Sequence, residues 1–236
     1  MKPSENKIPR HIGIILDGNR RFAKRLMLKP WKGHEWGAKK VEALFDWCKE
    51  YGIKELTLYA FSIENFNRPK QEFNFLMNLF RKELTRMLTD KRIDNDKIKT
   101  NFVGRLYLLP KDIQELMQKN TKRAEKYNNY IINFAVAYGG RQEVIDAAKK
   151  IAEQIKKGKI DIDKINEETF SKNLYNNDDV DLVIRTGGEQ RTSGFLIWQA
   201  NYAELIFLDK YWPEFTKKDF AYCIEEYSKR QRRFGH

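Results

Sequence analysis

His11-Ile-Gly-Ile-Ile-Leu16 runs directly into Asp17-Gly18-Asn19-Arg20-Arg21, and this passage decides the fold class. The first part is continuously apolar rather than alternating, which is how a strand covered on both faces of a parallel sheet reads. Five further runs of similar length follow: Glu55–Phe61, Ile98–Val103, Tyr130–Ala137, Val180–Ile184 and Ala203–Leu208. Helical spacing fills the gaps. Val41, Leu44, Phe45 and Cys48 recur at i, i+3, i+4, i+7, as do Phe73, Leu76, Met77, Phe80, Leu84, Met87 and Leu88. Val144, Ile145, Ala148, Ile151 and Ile155 repeat the pattern. Strand–helix alternation of this kind predicts an α/β fold with a central six-stranded, mostly parallel sheet flanked by helices. No linker, composition break or repeat interrupts it, so residues 1–236 are expected to form one domain.

Ligands of such sheets bind outside the carboxyl ends of the strands. Those ends carry Asp17-Gly18-Asn19-Arg20-Arg21, then Ser62-Ile63-Glu64-Asn65-Phe66-Asn67-Arg68-Pro69, Tyr138-Gly139-Gly140-Arg141, and Arg185-Thr186-Gly187-Gly188-Glu189-Gln190-Arg191-Thr192-Ser193-Gly194. Glycines let backbone N–H groups approach a phosphate, arginines grip it in pairs, and a carboxylate can hold Mg²⁺ against it. One such loop would be only a turn. Several on one sheet edge predict a site for more than one phosphate group.

Composition narrows the class further. The chain has 236 residues, with 45 Lys+Arg against 33 Asp+Glu, a formal charge of +12. A basic balance admits nucleic acid, an anionic membrane surface or a small polyanion as partner. There is no zinc-finger spacing, RNP-like aromatic motif or Arg-rich tail, so nucleic acid is not the expected partner. Pairs such as Lys156-Lys157 read as solvated faces. No apolar run approaches the ~20 residues of a membrane span, and MKPSENKIPR opens the chain without a secretory signal. Cys48 and Cys223 form neither a disulfide framework nor a zinc site. The expected location is cytoplasmic. Nucleotide-binding G-x-x-x-x-G-K-[ST] and G-x-G-x-x-G patterns are missing, as is the D-D-x-x-D box of trans-prenyl synthases. Asp178, Asp179 and Asp181 precede a strand and read as a solvated turn.

The block His11 to Ala23, with Gly33-His34 after it, resembles the first conserved block of the cis-prenyltransferases, the undecaprenyl diphosphate synthase family. The resemblance continues, in order, through Tyr59–Pro69, Tyr138–Arg141, Asp181–Phe195, Leu196-Ile197-Trp198-Gln199 and Tyr202-Ala203-Glu204-Leu205. It implies a Mg²⁺-dependent transferase that condenses isopentenyl diphosphate repeatedly onto an allylic diphosphate, geranylgeranyl or farnesyl diphosphate. The product would be a long-chain cis-polyprenyl diphosphate, the precursor of a glycosyl carrier lipid. By resemblance, Asp17 and Asn65 are catalytic, Asp17 holds the metal, and Glu204 contributes to the metal or to the isopentenyl site across a homodimer. Gly18, Asn19, Arg20, Arg21, Phe22, His34, Ser62, Phe66 and Arg68 would bind the allylic diphosphate. Arg185, Arg191 and Ser193 would bind isopentenyl diphosphate. Phe22, Phe66 and Trp198 also read as packing residues, Tyr138 and Arg141 as turn residues, and Glu189 as an ion-pair partner of Arg191.

The chain departs from the bacterial pattern in places. Arg20 stands where Gly is found, and Phe22 and Phe66 where Trp is found. Pro30 occupies the position of a basic residue that helps bind the allylic diphosphate, so Lys29, Lys32 or Arg20 would supply that charge. Gln190 replaces a His linked to metal. Trp31-Lys32-Gly33-His34 and Arg20-Arg21 look more like archaeal and eukaryotic members. A long product needs an apolar channel, with Phe73–Leu88 as one wall and Trp36, Leu44 and Phe45 as another. Its release implies peripheral membrane contact. The ending Arg232-Arg233-Phe234-Gly235 matches the R-x-G by which family members complete a neighbour's site, so 228–236 is expected at a dimer interface. Three other readings stay open: a non-catalytic partner subunit, an unrelated basic phosphate- or nucleic-acid-binding protein, and a relative making a short product or using another acceptor.

Overall fold

The computed structural model describes residues 8–230. The matched C-terminal tail, residues 232–235, lies outside them. The six expected strands are present as β1 His11–Ile15, β2 Glu55–Ser62, β3 Ile98–Val103, β4 Tyr130–Tyr138, β5 Leu182–Arg185 and β6 Glu204–Phe207. They form one sheet in the order β3-β4-β2-β1-β5-β6. All five pairings are parallel, where the sequence had predicted a mostly parallel sheet. Helical crossovers make four of the five connections between successive strands, all but the loop from β5 to β6. They are α1 Asn19–Arg25 and α2 Gly33–Tyr51, then α3 Lys70–Met87 and α4 Lys91–Asn95, α5 Lys111–Ala124, α6 Gly140–Lys156 and α7 Glu167–Ser171, with α8 Lys217–Lys229 after the last strand.

Continuous apolarity is explained by cover on both faces. Ile12, Ile14, Leu182 and Ile184 pack on one side against Leu44 and Cys48 of α2 and Phe220, Cys223 and Ile224 of α8. Ile15 and Val183 point to the other side, into a cluster with Tyr138, Phe195 and Leu196. Gly13 sits on that second face because a Cβ there would come within 3.0 Å of the Phe195 ring. A third cluster joins α3 and α5 to the sheet through Phe61, Leu76, Met77, Ile113 and Met117. Both cysteines are buried and unbridged. No described helix is long and apolar enough to cross a membrane.

The aspartates before β5 are not a merely solvated turn. Asp181 Oδ2 accepts the backbone N–H groups of Arg10 at 2.8 Å and His11 at 3.0 Å, and the Asp179 carbonyl lies 2.9 Å from His11 Nδ1. They fasten the start of β1 to β5, because the first N–H groups of β1 have no ladder partner and need acceptors. Arg21, Arg25 and other site cations are at the opposite end of the sheet.

Candidate active site

From β1 the chain turns to β2 on one side, while β5 returns on the other. The carboxyl ends of β1 and β5 therefore sit side by side at the topological switch point, where a crevice opens. Asp17 stands at its centre. Its Oδ2 accepts a hydrogen bond from Arg185 at 2.9 Å and lies 3.3 Å from the Arg21 guanidinium. Its Oδ1 accepts the Gly18 N–H at 2.6 Å, and its carbonyl accepts the Thr186 hydroxyl at 2.8 Å. Gly18 has φ +100°, and a Cβ there would lie 2.7 Å from the Tyr211 ring, so the turn requires glycine.

On the β5 side the loop closes around a second group of cations. Arg185 is 5% exposed and bonds the Ser193 hydroxyl at 2.9 Å and the Arg191 carbonyl. Its Nε has no partner among the described residues. Ser193 has φ +51°, a left-handed conformation that costs free energy in a non-glycine residue and that the surrounding loop imposes. Glu189 joins the two sides, with Arg191 at 2.6 Å and Arg21 at 3.4 Å. The ion pair read for Glu189 from sequence is thus present and extends to Arg21.

On the β1 side, α1 begins at Asn19, and the N–H groups of its first turn precede any intrahelical acceptor. Gly33 lets α2 approach closely: a Cβ there would fall 1.9 Å from the Asn19 carbonyl oxygen. This brings His34 beside Arg68, whose guanidinium lies 3.3 Å from His34 Nε2. A guanidinium only donates, so Nε2 accepts and the imidazole proton is on Nδ1. Burial, and then the charges of Arg68 and Arg20, lower the His34 pKa to about 3. The ring is neutral and available as an N–H donor, not as a cation. Glu72, 1% exposed on the first turn of α3, holds Arg68 in an ion pair and lies 3.5 Å from Arg20 Nε. Ser62 and Asn65 cap their own turn, the Ser62 N–H donating to Asn65 Oδ1 at 3.2 Å.

A cavity of about 240 Å³ leads from Asn19, His34, Asn65 and Arg68 between α2 and α3. Val41 and Phe45 line one wall and Leu76, Leu79, Phe80, Leu84 and Met87 the other. These five are among the α3 residues expected to form a wall, whereas Phe73, Phe75, Met77 and Leu88 do not line the cavity. Of the three residues expected opposite, only Phe45 lines the cavity. Leu44 is buried in the sheet core, and Trp36 is 40% exposed. Phe22 and Phe66 do not line it either. Phe22 meets Trp36 edge-on at 5.6 Å, and Phe66 packs on Phe61 and Phe73 at 5.2 and 5.8 Å. Trp198 packs on Phe170 and donates to Ser171 Oγ. Tyr138 is wholly buried, its hydroxyl bonded to Glu143, and is structural.

Glu204 is not brought to Asp17 within the chain. It pairs in register with Leu182 and, through it, Ile12, whereas Asp17 follows Ile15. Three residues of strand put it roughly 10 Å or more below the site, where it meets Arg230 at 2.7 Å. Among the described residues no three His, Cys, Asp or Glu side chains are grouped to hold a metal. A lone carboxylate here could hold a hard cation such as Mg²⁺ only together with substrate phosphates and water. Asp17, 29% exposed between Arg185 and Arg21, is the carboxylate that could do so.

Sequence reading missed Glu72, Thr186 and Tyr211. Arg21 and Arg25 both stack on the Tyr211 ring at 5.4 Å. The strand-end rule points to Tyr211, which lies just past β6. The i, i+4 spacing of Arg68 and Glu72 was the available sign of that pair.

Residues 15–235 match the family model described as "Putative undecaprenyl diphosphate synthase". A tritrans,polycis-undecaprenyl-diphosphate synthase (geranylgeranyl-diphosphate specific) of Methanopyrus kandleri is 47% identical over 99% of this chain and 87% of its own length. One of Pyrococcus horikoshii is 48% identical over 99% and 89%. The crystal structure of lavandulyl diphosphate synthase from Lavandula x intermedia, in complex with dimethylallyl diphosphate, superposes with a TM-score of 0.93 at 32% identity, covering 98% of this chain and 100% of that one. A probable undecaprenyl diphosphate synthase from Campylobacter jejuni gives 0.81 at 32%, covering 97% and 99%. A parallel sheet with two donor groups at its switch point defines a diphosphate-handling α/β protein. The chain belongs to the cis-prenyltransferase family, that of the undecaprenyl diphosphate synthases.

Proposed function

We propose that this chain is a Mg²⁺-dependent cis-prenyltransferase that condenses isopentenyl diphosphate repeatedly onto geranylgeranyl diphosphate, giving a long-chain cis-polyprenyl diphosphate. The observation that carries the proposal is the pairing of two cation-lined groups on either side of Asp17, one of them opening into an apolar cavity. The starter follows the name of the archaeal relatives; farnesyl diphosphate is the competing starter.

In this reading the allylic diphosphate sits at the first turn of α1, against Arg20, Arg21, Arg68 and the His34 N–H, with its tail in the cavity. Mg²⁺ held by Asp17 supplies charge neutralisation for the departing pyrophosphate. Arg21 and the backbone N–H groups from Asn19 onward stabilise the same developing charge. Arg185, Arg191 and Ser193 hold isopentenyl diphosphate so that its double bond faces the allylic carbon. The allylic C–O bond breaks with its electron pair going to the pyrophosphate, the terminal alkene carbon bonds to the freed allylic carbon, and the methylene beside the resulting cationic carbon gives up a proton to the released pyrophosphate. Catalysis is mainly positioning and electrostatics. Asn65, fixed by the Ser62 N–H, borders the cavity where that methylene would lie. Arg20 stands beside Glu72 and Arg68 and supplies the charge missing at Pro30. Lys29 and Lys32 face other partners, Trp31 and Glu35.

Because Glu204 and Asp17 are separated within a chain, Glu204 serves the site only from a second copy, which makes a homodimer part of the proposal. Residues 1–236 would act as one domain, in the cytoplasm. The test is incubation with radiolabelled isopentenyl diphosphate, Mg²⁺ and each allylic starter, followed by butanol extraction and chain-length separation. Long product that EDTA abolishes, formed fastest from geranylgeranyl diphosphate, is expected. A single short condensation product would favour the reading raised by the lavandulyl diphosphate synthase likeness. No product from folded protein would favour a partner subunit.

A further inference from the structure

Between α1 and α2 the chain presents Lys24-Arg25-Leu26-Met27-Leu28-Lys29, six consecutive exposed residues. Leu26 is 44% exposed, Met27 95% and Leu28 40%. Three adjacent aliphatic side chains in water are unusual on a loop, and this loop is not slack. The Met27 N–H donates to the Lys24 carbonyl and the Leu28 N–H to the Ala23 carbonyl, each at 2.9 Å, with Met27 at φ +57°. This is a helix stop of the left-handed type, in which the hydrogen bonds fix how the apolar side chains are presented. Residues 24–32 contain Lys24, Arg25, Lys29 and Lys32 and no acid. Arg25 is paired with Glu214 at 2.6 Å and Lys32 with Glu35 at 3.2 Å, whereas Lys24 makes no ion pair among the described residues, so Lys24 and Lys29 are the cations that face outward for an anion. Trp36, 40% exposed, lies one turn into α2, and Lys32 sits 5.2 Å from the Phe75 ring of α3. The patch thus borders the two helices that enclose the cavity.

We propose that residues 24–32 are the surface by which the protein docks on an anionic lipid bilayer. Apolar tips flanked by cations and tryptophan match the acyl–headgroup boundary, where aliphatic groups insert and lysines meet lipid phosphates. A second copy fits less well. A two-fold contact would set the same patch against itself, bringing like charges together around the aliphatic tips. The purpose of docking rests on the proposed long-chain product, an amphiphile that a bilayer would receive. The docking itself is independent of turnover.

The test is sedimentation of the purified full-length protein with vesicles of phosphatidylcholine alone and of phosphatidylcholine mixed with phosphatidylglycerol, at low and high salt. The wild type should sediment with the anionic vesicles, less so at high salt. Lys24→Glu should weaken binding at least about fivefold, the worth of one cation near an anionic surface. The double variant Met27→Asp, Leu28→Asp should weaken it about tenfold or more by removing the inserted apolar area. Both variants should keep wild-type prenyl transfer in detergent. Equal binding of wild type and double variant, or no preference for anionic vesicles, overturns the proposal. So does a fall in oligomeric mass of the double variant by light scattering, which would make the patch a self-contact. Prenyl transfer measured on the same samples separates failure of docking from failure of the proposed reaction.

Discussion

Asp17→Asn removes one charge at the centre of the site and almost no volume. In the folded protein Arg185 then loses its one carboxylate partner, while keeping the Ser193 hydroxyl and the Arg191 carbonyl. Removing one member of a fully buried pair costs about 3–5 kcal/mol. Here Arg185 is 5% exposed but Asp17 is 29% and Arg21 38%, so water screens part of the interaction. About 2 kcal/mol is the reasonable discounted figure. For a chain of this size that lowers Tm by roughly 4–8 °C and leaves nearly all molecules folded at 25 °C. Turnover should suffer far more. Loss of a preorganised group acting on developing charge costs about 10²- to 10³-fold, with a larger Mg²⁺ requirement in whatever activity is left. The assay is butanol-extractable product against Mg²⁺ concentration, beside calorimetric Tm. Turnover within threefold of wild type, together with the expected fall in Tm, would mean that Asp17 only anchors Arg185, and the metal assignment would fail.

Arg191 is 62% exposed and tied only to Glu189, so Arg191→Ala should leave Tm nearly unchanged while raising KM for isopentenyl diphosphate about tenfold. A rise confined to the allylic KM would reverse the allocation of the two sites. Ala38 lines the cavity wall on α2, and Ala38→Phe should shorten the longest product with Tm little changed. An unaltered product ladder would show that the chain grows elsewhere. Below the sheet, burial and then the Asp178 charge raise the Glu55 pKa from 4.5 to about 7. The stability this gives is complete below pH 4.5 and lost as pH rises through 7. Glu55→Gln cannot ionise, so its Tm relative to wild type should climb by several degrees between pH 5 and 8; a flat difference would refute the assignment. His11 has the opposite sign: burial lowers its pKa to about 4, so its contribution holds above pH 6.5 and fades as pH falls through 4.

Local signals were sufficient for the elements and for the edge where the site lies. Apolar runs, 3.6-residue spacing and strand-end loops are properties of neighbouring residues, so the six strands, α2, α3 and α6 could be read with only small shifts, such as β5 at Leu182–Arg185 rather than Val180–Ile184. The resemblance of the blocks from His11 to Leu205 then supplied the family. Tertiary structure decided which of these residues meet. Asp17 and Arg185 are 168 positions apart and touch only because β5 pairs with β1. Glu204 and Asp17 share a motif set yet lie at opposite ends of their strands, since parallel register fixes height along the sheet. Helical periodicity gives α3 an apolar face but not its division, and packing alone sends Leu76 and Phe80 to the cavity and leaves Phe73 against Phe61 and Phe66. The aspartates before β5 read as a solvated turn in one dimension, and Glu72 was not singled out at all. Tertiary contact with Arg20 adds to the local Arg68 pair and buries Glu72 between two arginines, where a carboxylate must find donors, and the approach of β1 to β5 makes Asp181 the acceptor for the first N–H groups of β1.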